Sequence, residues 1–179
     1  GFAPISTFTG DYDGNGFSIN NLTINRPTED YVGIFAQNRG VIHDLKLTGG
    51  SFTGRNYVGS VAALNRATIY RVGNLSSQVT GSQYVGGLTG YNTTGGVISQ
   101  SFATSSLTSN YAGVVYLGGL VGYSDAGSIT DTYARGSVNV PAAATYVGGL
   151  VGLNYGSSQI TNSFAASVVS GNSSLGFGA

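Results

Sequence analysis

Across 179 residues, seven basic side chains balance seven acidic ones, so no broad electrostatic field steers nucleic acid or an anionic membrane toward this chain. Only 8 % of residues are charged, against roughly 25 % in an average domain, which leaves Ser, Thr, Asn and Gly to form most of the polar surface. Cysteine is absent, excluding disulfides and thiolate metal sites, and no apolar run approaches the roughly 20 residues that span a bilayer.

The chain opens mid-phrase at Gly1-Phe2-Ala3-Pro4 without a charged start and apolar stretch, so it reads as a piece of a longer chain whose targeting and anchoring parts lie elsewhere. Residues 1–16 are a turn-rich lead-in. Residues 17–24 have the apolar spacing of a strand that bends once, the first rung. Residues 26–30 form a polar connection, because Pro27 has no ladder N–H and pushes Arg26 away from helix. Then one phrase recurs five times: Tyr31-Val32-Gly33, Tyr57-Val58-Gly59, Tyr84-Val85-Gly86, Tyr116-Leu117-Gly118 and Tyr146-Val147-Gly148, its tyrosines 26, 27, 32 and 30 residues apart. Self-similarity at such a period marks a solenoid, propeller or array.

Three strand-like stretches follow from aligning the repeats. The phrase itself is the first. An isoleucine column marks the second: Ile19, Ile42, Ile69, Ile98, Ile129 and Ile160. Early members are followed at i+3 by Leu22, Leu45 or Val72, and later ones at i+4 by Phe102, Tyr133 or Phe164, so the core changes character along its length. Phe52, Val79, Leu107, Val138 and Val169 belong to the third stretch, and Asn- and Gly-containing turns recur in register between the first two. Helical periodicity is absent, and β-branched and aromatic residues fill the apolar places. The pattern predicts one all-β domain over 1–179, with the repeats at 17–179. The expected fold is a β-solenoid, a right-handed parallel β-helix of about six rungs with three short strands in each, rising about 4.8 Å per rung. A propeller would need about 40 to 50 residues and four strands per blade. Glycine at the third place of the phrase predicts a bend or a close approach, and a bulge at the Gly-Gly pair would let Val and Leu both point inward.

Gly87-Leu88-Thr89-Gly90, Gly119-Leu120-Val121-Gly122 and Gly149-Leu150-Val151-Gly152, followed by Tyr91-Asn92, Tyr123-Ser124 or Leu153-Asn154, carry a further signal. This pattern resembles the GLUG-motif repeats of bacterial surface and secreted proteins, most closely from residue 84 onward. Ile34-Phe35-Ala36-Gln37 and Ser60-Val61-Ala62-Ala63 depart from it, and Thr89 fills a normally apolar place. The resemblance implies a β-helical stalk of filamentous-haemagglutinin-like adhesins and related exported proteins, extracellular or on a bacterial cell surface, with no shared catalytic residue.

Few residues could carry chemistry. His43 is the sole histidine, and alternation reads it as solvent-facing. The scattered carboxylates include no pair suited to glycoside hydrolysis, and no nucleophile elbow is present, so the expectation is a non-enzyme. Residues 11–16 share the opening of an EF-hand loop, which makes Asp11, Asp13 and Asn15 candidate calcium ligands, but position 12 of such a loop falls on Leu22 rather than Glu. An Asx-rich turn is the competing reading. The column Tyr31, Tyr57, Tyr84, Tyr116 and Tyr146 is either an aromatic ladder or a strip that binds sugar rings or protein. The threonines do not fall into the regular ranks that an ice-binding face needs.

The sequence therefore points to a non-catalytic structural or adhesive stalk whose partner is a surface protein or glycan of a host or neighbouring cell. A β-helix that binds or degrades polysaccharide is the alternative. Residues 174–179 can be laid over the start of the phrase as a seventh rung, which raises end-to-end assembly of copies into fibres.

Overall fold

Each coil begins where the repeated phrase begins. In the computed structural model, which describes residues 1–111, 113–140 and 146–171, Val58–Gly59, Tyr84–Gly86, Tyr116–Gly118 and Tyr146–Gly148 stack into a four-stranded sheet. The chain then turns into a second, five-stranded sheet of Phe35–Asn38, Ala62–Asn65, Thr89–Asn92, Val121–Asp125 and Val151–Tyr155. A third sheet has six strands, from Asp11–Asp13 and Val41–His43 through Gln159–Thr161. The fourth pairs Ser18–Asn20 and Thr23–Asn25 with Lys46–Thr48 and Ser51–Thr53, then continues as the long strands Gly73–Gly81, Phe102–Ser109, Tyr133–Asn139 and Phe164–Ser170. Every pairing in the four sheets is parallel. The chain is a parallel β-solenoid, and the first of the three expected stretches divides into two strands around a corner. The proposed seventh rung at 174–179 lies outside the described residues.

That corner is a bulge at the Gly-Gly pair, one of the arrangements the phrase allows. The Leu88 and Thr89 N–H groups both donate to the Leu120 carbonyl, at 2.9 and 3.2 Å, and those of Leu120 and Val121 both donate to the Leu150 carbonyl, at 2.8 and 3.2 Å. Two donors on one acceptor add a residue to the corner and turn both flanking apolar side chains inward. Val85, Leu88, Leu117 and Leu120 are all fully buried. A Cβ on Gly86 would run into the carbonyl oxygen of Thr89 just around the bend, and one on Gly118 into that of Val121. Glycine is required here for space, not for an unusual φ.

At the next corner the left-handed conformation falls to non-glycine residues: Asp44, Arg71, Gln100, Asp131 and Asn162 form a column with φ between 48° and 52°. This turn explains where two sequence expectations fail. Ile42, Ile69, Ile98 and Ile129 do form a buried column, but its first member is Tyr12, and Ile19 pairs instead with Leu47 in the fourth sheet. The segment around Asp11 thus supplies a strand of the first coil. Phe102, Tyr133 and Phe164 do not enter the core. They face outward and stack, at 4.9 and 5.4 Å, because the corner residue two places earlier resets the alternation. What changes inside is the place one residue before them, from Leu45 and Val72 to Ser101 and Thr132. The buried Ser101 hydroxyl donates to the Ser99 carbonyl and accepts from the Val72 N–H, which keeps it satisfied.

Burial is otherwise columnar. Ile24, Phe52, Val79, Leu107 and Val138 stack in one line on the fourth sheet. In the second sheet buried Asn38, Asn65 and Asn92 form an amide ladder, Asn38 Nδ2 donating to Asn65 Oδ1 at 2.8 Å and Asn65 Nδ2 to Asn92 Oδ1 at 2.9 Å. Phe8, Tyr12 and Phe35 cluster at the N-terminal end, with centroids 4.7 Å apart for Phe8 and Phe35 and 5.6 Å apart for Tyr12 and Phe35. The last described coil leaves Phe164 and Val168 exposed.

Two substitutions test the interior. Leu120→Asp places an unpaired charge in the central column and is expected to unfold the middle coils, losing several kcal/mol; a melting temperature equal to the parent's would contradict the packing. Thr89 is fully buried between Ala62 and Val121, and its Oγ1 is a buried side-chain atom with no hydrogen-bond partner among the described residues. Thr89→Val should therefore raise stability by about 1 to 3 kcal/mol, read as an upward shift in the denaturation midpoint.

Candidate functional site

The sheet of repeated phrases dictates its own outer surface. Parallel register puts Tyr84 opposite Tyr116 and Tyr116 opposite Tyr146, so residues far apart in sequence become neighbours one strand spacing apart. The five rings of the tyrosine column stack with centroids 4.7, 4.5, 4.8 and 5.0 Å apart and planes within 7°. Their faces lie against one another, so what the column offers to solvent is ring edges and hydroxyls. A sugar ring cannot stack between them.

Sequence alignment missed a second column. Tyr91 and Tyr123 are partners in the adjoining sheet, 4.9 Å apart and tilted by 30°. Tyr123 reaches back to Tyr116 at 5.1 Å and on to Tyr155 at 6.4 Å. The signal was present as the residue after Gly87-Leu88-Thr89-Gly90 and Gly119-Leu120-Val121-Gly122, but only the register shows that it adjoins the first column. Eight tyrosines thus form one continuous patch. Burial pushes the Tyr57 and Tyr123 phenols up to about 12, and raises those of Tyr91 and Tyr116. The Tyr91 hydroxyl donates to Asp125 Oδ2 at 3.2 Å.

The second candidate is the seam across the first three coils. Asp11 and Asp13 come from the first strand of the third sheet, His43 from the next, and Tyr70 from the one after. His43 is not the freely solvated side chain its alternation implies, for only 12 % of its side chain is exposed. Its Nε2 lies 3.0 Å from Asp11 Oδ1, its Nδ1 lies 2.6 Å from Asp44 Oδ2 and 3.6 Å from Asp13 Oδ1, and its ring stacks on Tyr70 at 4.8 Å. Arg71 grips both oxygens of Asp44, at 2.6 and 2.5 Å, and its guanidinium covers Tyr70.

The proposed calcium ligands are used differently in this arrangement. Asp13 Oδ1 accepts the Asn15 N–H at 2.7 Å, closing an Asx turn with Asn15 at φ 48°, while Asp11 faces His43. One donor atom each from Asp13, His43 and Asp44 lies within 4.8 Å of the others. The Arg71 guanidinium, however, already supplies positive charge to Asp44, and the imidazole nitrogens face carboxylates. The set surrounds one imidazole with three carboxylates and shares Asp44 between His43 and Arg71.

In the threonine positions the register differs from the expectation of no ranks: Thr53, Thr80 and Thr108 align across three coils, flanked by Asn25 and Asn139.

Comparison with known proteins follows this geometry. The family model of the GLUG motif matches at residues 81–108, 113–139 and 143–170. Halomucin of Haloquadratum walsbyi is 36 % identical over 107 residues, which is 55 % of this chain and 1 % of that protein. The fold superposes on the crystal structure of a putative immunoglobulin A1 protease from Bacteroides ovatus with a TM-score of 0.81 and 22 % identity, over 90 % of this chain and 52 % of that one. At that identity the likeness is one of fold.

The seam predicts a pH dependence of stability. The Asp44 hydrogen bond raises His43 above its ordinary 6.5, and the Arg71 hydrogen bond holds Asp44 well below its ordinary 3.8. A raised histidine contributes stability in full below 6.5 and loses it as pH climbs through the folded value; a depressed carboxylate contributes above 3.8 and loses it in acid. His43→Ala should therefore melt furthest below the parent at pH values under 6.5, with a gap that narrows as pH rises through the folded value and in high salt, down to the part due to lost packing on Tyr70. A gap unchanged by pH would show that the histidine acts by packing alone.

Proposed function

Residues 81–170 are a run of GLUG-motif repeats within a parallel β-solenoid, and from that premise we propose that this chain is a non-catalytic stalk and adhesive module of a secreted or cell-surface protein. The observation that carries the reading is that groups able to do chemistry are engaged by neighbouring coils. Tyrosine faces cover tyrosine faces, Asp44 is held by Arg71 and His43, and Asp30 accepts both arms of Arg55 at 2.8 Å. Among the described residues, the hollows lined by Tyr111, by Ser106 and by Phe164 have no carboxylate in their linings, whereas glycoside hydrolysis needs two.

A rod suits this arrangement because load applied along its axis is shared by four ladders of parallel hydrogen bonds. Its presented surface is a set of hydroxyls and amides. The shallow groove of Arg55, Asn56, Ser82, Gln83 and Tyr111 offers the polar and aromatic mixture with which a glycan of a neighbouring cell is recognised. The last described coil, with exposed Phe164 and Val168 and one sheet neighbour for each strand, supports the reading that copies could stack end to end by strand addition.

Single-molecule pulling tests the stalk. Coils of 26 to 32 residues should release in steps of roughly 10 nm at about 3.5 Å per residue, and binding to immobilised polysaccharide should weaken when Tyr111 and Gln83 are replaced by Ala. Depolymerisation of a polysaccharide by this chain, lost in Asp44→Asn or His43→Ala, would replace the stalk with the enzyme reading.

A further inference from the structure

The chain contains no Cys, no Met and no Trp, the side chains that otherwise absorb oxidising equivalents. Tyrosine is therefore its most readily oxidised residue, and eight of the twelve tyrosines form one patch. We propose that this patch is a site of oxidative cross-linking, in which Tyr91 and Tyr123 couple to a dityrosine that staples two neighbouring coils together.

Three observations place the bond there. An electron vacancy created at exposed Tyr155 or Tyr146 finds ring after ring within 4.5 to 6.4 Å, so it can migrate inward through the patch. Tyr91 has a base in place, because its hydroxyl already donates to Asp125 Oδ2 at 3.2 Å, and the carboxylate takes the proton as the electron leaves. The ring geometry then narrows the choice to pairs that include Tyr123. In the main column the planes are within 7° of parallel, and a bond between the carbons ortho to the hydroxyls requires both rings to leave the stack. Tyr123 is already tilted, by 30° from Tyr91 at 4.9 Å and by 34° from Tyr116 at 5.1 Å, and of these two neighbours Tyr91 is the one whose hydroxyl is bonded to a carboxylate.

The chemistry balances with a haem peroxidase and hydrogen peroxide as oxidant. Each phenol gives up one electron and its hydroxyl proton, the Tyr91 proton through Asp125 and the Tyr123 proton to water. The two radicals join ortho carbon to ortho carbon. Each of those carbons then releases its hydrogen as a proton while its oxygen is reprotonated, restoring both phenols. One C–C bond has formed, and two electrons and two protons have left the protein to convert one peroxide into two waters.

The test is to treat the full chain, dilute, with a haem peroxidase and hydrogen peroxide. The expected product is monomeric, lighter by two hydrogen atoms, fluorescent as dityrosine, and yields on proteolysis a fragment joining positions 91 and 123. Tyr123→Phe, which keeps the ring, should lose most of the intramolecular product, and Asp125→Asn should slow its formation. Tyr133→Phe, outside the patch, should leave the yield unchanged. Dityrosine confined to dimers, a fragment map that joins other positions in the parent protein, or a yield indifferent to Tyr123→Phe would each overturn the proposal.

Discussion

In-register parallel stacking is the constraint from which the rest of this molecule follows. The backbone N–H and C=O groups of a coil find their partners in the coils above and below, so each side chain sits about 4.8 Å from its counterpart one repeat away. A position tolerates only residues that are content beside their own kind. Valine, leucine and isoleucine satisfy that by burial, asparagine by passing an amide hydrogen bond along the ladder Asn38, Asn65, Asn92, and tyrosine by stacking.

Charge satisfies it least. Two like charges 4.8 Å apart repel by about 1 to 3 kcal/mol between the dielectric limits of water and a protein surface, so a column of one sign is unfavourable along the whole rod. The chain responds by using few charges and by alternating them where they occur. Asp44 lies under Arg71 in one corner column, and Asp30 bonds to Arg55 from the adjacent coil. The low charged fraction is therefore a structural consequence of the fold as much as a statement about partners. It also makes the His43 seam distinctive, because there three carboxylates converge on one imidazole and bind the first coil to the second.

These properties are what the proposed stalk reading rests on. Catalysis asks for a concave place where unlike groups meet with unsatisfied capacity, whereas this stacking consumes such capacity locally. Among the described residues the surfaces that remain available are edges of rings and rows of hydroxyls, which repeat along the rod, and the last described coil at its end.

The sequence by itself determined the coil. The tyrosine-glycine phrase at a steady period, the isoleucines from Ile42 onward and the line from Phe52 to Val138 are local patterns, and local pattern suffices because a solenoid adds each repeat to its immediate neighbour. Register was beyond it at the places where one residue shifts everything. Ile19 falls outside the isoleucine column because the first coil lacks the later corner spacing, and Phe102, Tyr133 and Phe164 exchange inside for outside at the left-handed turn. Only the tertiary structure joined Tyr91 and Tyr123 to the tyrosine column and drew Asp11, Asp13, His43, Asp44 and Arg71 into one seam. Which neighbours a side chain meets across a corner is fixed by how coils superpose, and a linear spacing does not contain that angle.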